Sequence, residues 1–481
     1  MRLVVAFSLK FILTLQMSKV VPFSFLFVLP YSDEMEVIMS IHFLKLEDNK
    51  NLAYLPNSMR FFIINDKEAS VFENIDSGIS YQKLKGLSSD LIEADYNYMK
   101  QLLNESCIDI EEPVNLNTLQ RLVINISNTC NLNCRYCYAN GGNYSNINSL
   151  MDINTLKRVL NMFYNLYENI GYIQLFGGEP AFNLDAIDYV GNYIYSNNYK
   201  TQLTIVTNGT IMNKSFLDLI NKYNIKVTVS IDYSGIHNQL RPFKNDTQSF
   251  DLIKKNIDLL QKSTNQPSQF EITYTKLHEK KGISIIDIIS ELASEYGNVP
   301  IHIAPVCSTD EKYQLTDETT YTDSIHDIFK LQEEGIQYSY AMLQSILLSL
   351  KHKQKMKRIC GAGVGTVAVS CSGIIYPCFY FIDNPSFEIA NINQPLNEIK
   401  RNINNTRIKY LEMAKPSSCN NCFAEGVCHG CMGTNLQATG DIIKTSELHC
   451  SLIKGMLDTT LKELALKKIK VSNENISKSS R

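Results

Sequence analysis

Arg121-Leu-Val-Ile-Asn-Ile-Ser127 is a β-branched run, and just beyond it comes Cys130-Asn-Leu-Asn-Cys134-Arg-Tyr-Cys137, three thiols within eight positions. The run reads as a strand, so the thiols sit on the loop that leaves it. Cys130, Cys134 and Cys137 can hold three irons of a four-iron, four-sulfur cube, since Cys is the usual ligand of such clusters. The missing fourth ligand leaves one iron free to bind and activate another molecule. A structural zinc site needs four closed ligands, and no fourth candidate lies nearby in sequence.

From this loop to about Val306 strands and helices alternate. Strand candidates are Leu122–Ser127, Tyr172–Phe176, Gln202–Thr207, Lys226–Ile231, Phe270–Thr275 and Ile301–Pro305, with helical stretches such as Ile153–Tyr167 and Leu184–Ser196 between them. Six such units imply a parallel α/β sheet, either a partial barrel or a doubly wound fold. Both architectures collect ligands at the carboxyl ends of their strands. Gly177-Gly178-Glu179-Pro180, Thr207-Asn208-Gly209-Thr210 and Ser230-Ile231-Asp232 end the second, third and fourth strands. Glycines let backbone approach a ligand closely, and a carboxylate there can accept from an ammonium. Taken singly, Asn208-Gly209 is also an ordinary turn pair and Glu179 could cap a helix.

The C-x3-C-x2-C spacing, with Tyr136 before its last Cys, resembles the radical S-adenosylmethionine (SAM) superfamily, and the three strand-end motifs follow in that family's order. The resemblance implies a partial (β/α)6 TIM-like barrel in which Cys130, Cys134 and Cys137 hold a cluster that reductively cleaves SAM to a 5′-deoxyadenosyl radical. By the same resemblance Gly177, Gly178, Glu179 and Pro180 hold the methionine amino group and Tyr136 lies near the adenine. Thr207, Asn208, Ser230 and Asp232 meet the ribose and methionine carboxylate, and Arg241, in a loop shared with His237, faces that carboxylate. No general base is assigned.

A second cysteine field follows: Cys360, then Gly373-Ile-Ile-Tyr-Pro-Cys378, then Cys419, Cys422, Cys428, Cys431 and Cys450. It resembles the SPASM extension of many radical SAM enzymes, which implies two auxiliary [4Fe–4S] clusters and three clusters in all. In the family's interleaved scheme Cys419, Cys422, Cys428 and Cys450 ligate one cluster, and Cys360, Cys378 and Cys431 hold the other, with Cys371 a candidate fourth ligand. Without it, that cluster keeps a vacancy for a substrate thiolate. One departure is plain: the family separates its last close pair by three residues, whereas two separate Cys428 from Cys431. A pair of zinc knuckles is the rival physical reading of the Cys-x2-Cys pairs. Cys107 and Cys307 are isolated and read as small buried apolar residues. His429 and His449 neighbour ligands without being counted among them.

The 481 residues carry 46 basic and 49 acidic side chains, a net charge of −3, which gives no electrostatic reason to expect nucleic acid or an anionic membrane. Of 13 Cys, eleven fall in two dense groups, a pattern of metal ligands in a reducing compartment rather than of a disulfide scaffold. Residues 1–38 are an apolar extension broken by Lys10, Gln16, Ser18 and Lys19, too interrupted to span a bilayer. Translation is expected to begin at Met35 or Met39, leaving the preceding residues a start-site artefact. Residues 39–112 read as strands Ile41–Leu46, Leu52–Leu55 and Arg60–Asn65 followed by helices near Glu68–Ile75 and Ser88–Leu103, the latter capped by Ser89 and Asp90, a winged-helix-like unit. The barrel is assigned to 117–320, a helical bridge to 321–358, the Cys-rich domain to 359–455, and a C-terminal helix with a frayed tail to 456–481.

SPASM proteins modify peptides or proteins, and the N-terminal unit resembles the leader-recognition element of ribosomal-peptide maturases, which takes an extended peptide as an added strand. Sulfatase-activating relatives carry an Asp base directly after the Tyr-Pro-Cys cysteine; here that position is Phe379. The resemblance implies a cytoplasmic, anaerobic enzyme that makes thioether crosslinks in a Cys-rich precursor peptide with a leader, reduced by a flavodoxin or ferredoxin. The alternatives are sulfatase-maturase-like oxidation and a non-catalytic zinc or iron–sulfur interaction protein.

Overall fold

A computed structural model of the chain describes residues 41–87, 91–109, 117–144, 147–308, 310–355, 358–413 and 415–479. The apolar extension, the Ser89–Asp90 cap and most of the linker after Cys107 lie outside these. The N-terminal unit is an antiparallel sheet of β1 (His42–Lys45), β2 (Lys50–Leu55) and β3 (Arg60–Asn65), then helices α1 (Asp66–Asp76), α2 (Tyr81–Leu87) and α3 (Glu93–Asn104). Asn65 starts α1 with a capping box, its Oδ1 accepting from Glu68 N while Glu68 accepts from Asn65 N. Side chains alternate across β2: Ala53 and Leu55 join the core under the unit's own helices, whereas Leu52 and Tyr54 face the rest of the protein. There the His42 ring stacks on Phe423 at 3.6 Å and its Nε2 lies 2.8 Å from the Asp458 carboxylate.

After β4 (Ile108–Asp109) the βα series begins with β5 (Thr118–Ser127), α4 (Ile153–Leu166), β6 (Asn169–Gly177), α5 (Leu184–Ser196), β7 (Gln202–Thr207), α6 (Lys214–Lys222) and β8 (Lys226–Ser230). It continues through α7 (Ser234–Leu240), α8 (Phe250–Ser263), β9 (Gln269–Tyr274), α9 (Lys276–Lys280), α10 (Ile285–Tyr296) and β10 (Ile301–Pro305). Adjacent strands pair in parallel in sequence order, the parallel-dominated sheet of a partial βα barrel. In β7 to β10 Leu203, Ile205, Val227, Val229, Ile272, Ile301 and Ile303 are buried against helices, while Thr204, Val206, Thr228, Ser230, Glu271, Thr273 and His302 are only half-buried. The second face is therefore polar and reachable, unlike a sheet covered by helices on both sides.

Helices α11 (Thr319–Glu333) and α12 (Ala341–His352) and strand β11 (Gln354–Lys355) lead into the Cys-rich segment. Its strands β12 (Thr366–Val369), β13 (Ile374–Tyr376) and β14 (Ala390–Asn391) extend the barrel sheet, β12 lying parallel to β5 with Val367 opposite Leu122. Helix α13 (Leu396–Leu411) reinforces this seam: buried Arg407 donates to Val364 O at 2.9 Å and Thr118 O at 2.8 Å. Helices α14 (Ser417–Asn420), α15 (Met432–Thr439) and α16 (Glu447–Ser479) complete the chain. The frayed tail expected from about Lys462 is corrected by α16, one helix of 33 residues. Leu461, Leu464 and Ala465 are buried in the same core as Tyr321, Ile325 and Phe329 of α11, and Lys470 pairs with Glu333 at 3.0 Å. Tertiary packing overrides the polar composition there.

Candidate active site

The loop after β5 carries Cys130, Cys134 and Cys137 on one tight excursion, all partly exposed. Two backbone bonds of 2.8 Å, from Asn133 N to Pro242 O and from Arg135 N to Leu240 O, pin it to the segment after α7, and Leu132 is buried beneath. Burial pushes the Cys130 thiol to about 11 and that of Cys134 to about 12, and a charge on Cys137 would push both further. Close, desolvated thiols of this kind need positive charge to ionise, which a metal cluster supplies, so the donor set fits one. Among the described residues no three His, Cys, Asp or Glu side chains converge on the place of a single ion. The ligands of a four-iron cube each bind a different iron and stand further apart.

Gly177 has φ +144°, and a Cβ there would lie 2.2 Å from Ser127 O. A Cβ on Gly178 would meet Thr129 O at 2.6 Å, and one on Gly142 would meet Cys130 Cβ at the same distance. The backbone after β6 thus lies directly on the cysteine loop. Glu179 is fully buried, and its carboxylate accepts from Ala181 N at 2.9 Å, Thr207 Oγ1 at 2.7 Å and Asn208 N at 2.6 Å. It is both the cap of the turn Pro180–Phe182 and a strut to the end of β7. Three of its roughly four lone-pair directions are filled. Asn208 continues the network, its Nδ2 donating to Asn131 Oδ1 at 3.0 Å and lying 3.6 Å from Cys130 Sγ, while Thr210 Oγ1 donates to Asn208 Oδ1 at 2.6 Å. Asn131 and Thr210 went unassigned in sequence reasoning; only their place inside the flanking motifs hints at them.

Beneath the loop runs a second chain of contacts. Tyr136 OH donates to Asp232 Oδ2 at 2.7 Å and accepts from Arg241 at 3.0 Å; Asp232 Oδ1 accepts from Thr273 N at 3.3 Å. Arg241 is buried, its Nε has no hydrogen-bond partner, and its charge counters burial at the Cys134 thiol. Ser230 stands opposite Glu271 on the half-buried face. His237 Nδ1 accepts from Asp232 N at 3.1 Å, and its Nε2 is 3.2 Å from Ser249 Oγ, which itself donates to Arg241 O at 2.6 Å. Burial, aided by Arg241, pushes His237 down to about 4. The unfolded chain protonates this histidine near the ordinary 6.5, so its contribution, about 3 kcal/mol at 1.36 kcal/mol per unit, is complete above pH 6.5 and is lost as pH falls towards 4. In thermal melts between pH 4 and 7, His237→Asn should flatten this slope; an unchanged slope would remove His237 from the account.

The structure brings Cys360, Cys378 and Cys431 together. Met432 N and Ala362 N bond the Cys360 thiol, and Cys378 is pushed to about 12 by burial, with Arg121 opposing and charges on Cys431 and Cys360 adding. It gathers Cys419, Cys422, Cys428 and Cys450 in a second group, where burial drives Cys428 to about 12 and Cys428 Sγ lies 3.8 Å from His449 Nε2. Cys371 is in neither: it is buried, and its Sγ donates to Asn125 O at 3.1 Å. Cys107 is buried in the core as read. Cys307 corrects its reading as an isolated thiol, for it lies within electrostatic reach of Cys431 and donates to Thr434 O at 3.2 Å. Aromatic rings join the Cys130–Cys137 loop to the Cys360, Cys378 and Cys431 group: Tyr138, next to Cys137, packs on Tyr380 at 4.7 Å, and Phe379, next to Cys378, packs on Phe176 at 4.8 Å.

An α/β sheet with three thiols on the loop after β5 and a Gly-Gly-Glu-Pro turn against them fits an iron–sulfur site, and residues 124–280 match the model of the Radical SAM superfamily. The chain carries a radical SAM domain, and that family implies SAM and a [4Fe–4S] cluster. An uncharacterised protein of Methanocaldococcus jannaschii is 39% identical over 133 residues, 27% of this chain and 45% of that one, so the chain spans less than half of that relative. The radical SAM cyclopropyl synthase TigE of Paramaledivibacter caminithermalis is 24% identical over 352 residues, 68% of this chain and 71% of TigE. The cysteine-type anaerobic sulfatase-maturating enzyme of Clostridium novyi is 24% identical over 376 residues, 73% of this chain and 97% of that one. Among solved structures, native anSMEcpe with bound AdoMet has a TM-score of 0.59 at 18% identity, covering 74% of this chain and 99% of its own. Streptococcus suis SuiB bound to precursor peptide SuiA has a TM-score of 0.52 at 16% identity, covering 86% of this chain and 99% of SuiB. At such identities the structural likeness is one of fold. No helix among the described residues is long and apolar enough to cross a membrane.

Proposed function

We propose that the chain is a peptide maturase that uses SAM to crosslink a ribosomally made, Cys-rich precursor peptide through thioether bonds. The observation that carries this is the apposition of the Cys130–Cys137 loop to the Cys360, Cys378 and Cys431 group across Tyr138, Phe379 and Tyr380. A radical enzyme acting alone has no use for a second thiol set there, whereas an oxidative crosslink must pass on a surplus electron. Cys130, Cys134 and Cys137 would hold the SAM-binding cluster, and Cys419, Cys422, Cys428 and Cys450, with Cys360, Cys378 and Cys431, two auxiliary ones. The bound cluster and SAM supply a 5′-deoxyadenosyl radical. Tyr136, Gly177–Pro180, Thr207, Asn208, Ser230, Asp232 and Arg241 would bind and orient SAM. The half-buried polar face of β8 to β10 would receive the peptide, and the three-stranded N-terminal sheet its leader. SuiB, whose structure holds a precursor peptide, supports a peptide substrate; a flavodoxin or ferredoxin in an anaerobic cytoplasm would supply electrons.

The full-length match to a sulfatase-maturating enzyme favours a second reading, oxidation of a sulfatase residue to an aldehyde. Phe379 after Cys378, in place of an acidic base, weighs against it. Anaerobic reconstitution tests the reading: about 12 irons per chain for three cubes, 5′-deoxyadenosine released with dithionite, and loss of two hydrogens per crosslink in a Cys-rich peptide encoded beside this frame. A sulfatase Cys peptide converted to an aldehyde would replace the reading by the second one. Zinc in place of iron, with no deoxyadenosine, would leave an interaction protein.

A further inference from the structure

We propose that Cys307 is the fourth thiolate of the site built from Cys360, Cys378 and Cys431, supplied by the barrel rather than by the Cys-rich segment. The proposal rests on the reading of that site as an auxiliary [4Fe–4S] centre. Cys307 stands two residues past β10, at the carboxyl end of the sixth parallel strand. Its Sγ donates to Thr434 O at 3.2 Å, and Thr434 Oγ1 donates to Cys431 O at 3.1 Å. Cys431 is the N-cap of α15, and Met432 N in the same turn bonds Cys360. Cys307 and Cys360 therefore both bond the first turn of α15 that Cys431 begins. Tyr380, two residues after Cys378, brings that ligand's turn onto the same helix. Its ring lies flush on α15, where a Cβ on Gly433 would meet Tyr380 Cβ at 2.4 Å.

Four Cys thiolates are the closed complement of a [4Fe–4S] cube. Cys371, the candidate by sequence, lies against Asn125 of β5 and makes no bond to the first turn of α15. Ligation exchanges the S–H proton, released to solvent, for an Fe–S bond and the weak bond to Thr434 O is given up; no electron moves. A site closed in this way relays electrons and has no corner for a substrate sulfur.

The test uses the full chain, reconstituted anaerobically, with Cys130, Cys134 and Cys137 replaced by alanine so that only auxiliary centres remain. That background should bind about eight irons, and its electron paramagnetic resonance signals should not respond to cyanide, which binds only an open iron. Adding Cys307→Ala should make one signal cyanide-sensitive and, after mild ferricyanide oxidation, release about one iron with a three-iron signal. Cys307→Val, which keeps the side chain's bulk without a ligating atom, serves if the alanine variant folds poorly, and Cys371→Ala should match the background. Cyanide sensitivity already present in the background, or a Cys371→Ala response with none from Cys307→Ala, overturns the assignment of Cys307 alone. Uptake of about four irons or fewer overturns the auxiliary-centre reading, and Cys307 with it.

Discussion

Replacing Cys134 by alanine is expected to lower 5′-deoxyadenosine release by at least about 100-fold, beyond the 10–100-fold typical when a residue that merely orients a metal ligand is lost. Cys134 sits between its two partner thiols and is faced by Arg241 and Asp232. Its loss removes the middle grip on the cluster and leaves the buried Arg241 charge short of a counter-charge. Iron content should fall by about four per chain while the fold persists, because the loop is pinned through Asn133 and Arg135 backbone bonds and the buried Leu132 rather than through the thiol. Quantifying deoxyadenosine by liquid chromatography against the parent chain decides the matter. A variant that cleaves SAM at the parental rate would end the assignment of this loop.

Glu179→Ala is expected to destabilise the chain by about 3–5 kcal/mol and to weaken SAM binding at least tenfold, since each unsatisfied buried donor costs about 1–3 kcal/mol and tenfold corresponds to about 1.4 kcal/mol. The substitution leaves Ala181 N, Thr207 Oγ1 and Asn208 N without the buried acceptor they share. It also frees the end of β7, whose Asn208 side chain reaches Asn131 and Cys130. Urea unfolding gives the first quantity and equilibrium dialysis of SAM the second. A stability change under about 1 kcal/mol would mean the strut is dispensable.

The six parallel strands were legible because each is a short β-branched run punctuated by turn residues, and the cysteine loop because its spacing carries chemistry by itself. Leu184–Ser196 and Gln202–Thr207 fall where the periodicity places them. The pairing of β12 with β5 was not legible, since four residues, Thr366–Val369, carry no pattern that names a partner 245 positions earlier. Single cysteines mislead for the same reason. Cys371 lies between Cys360 and Cys378 in sequence, yet its side chain turns to Asn125, while the distant Cys307 arrives beside Cys431 because β10 ends there. Spacing along a chain fixes neighbours only within one loop, and elsewhere the topology does. Glu179 was legible as a site residue but not as a strut, because its donors come from a strand 28 positions away.

The pairing of β12 with β5 bears on how this protein could be taken apart. A fragment ending before residue 359 would uncover the hydrogen-bonding flank of β5 at Arg121–Ile124, where Leu122, Val123 and Ile124 are shielded from water in the intact chain. Such a bare apolar strand recruits other chains and precipitates. Truncation at that boundary should thus yield inclusion bodies rather than a minimal catalytic core, and grafting the C-terminal module onto a foreign barrel would require a matching strand to receive it.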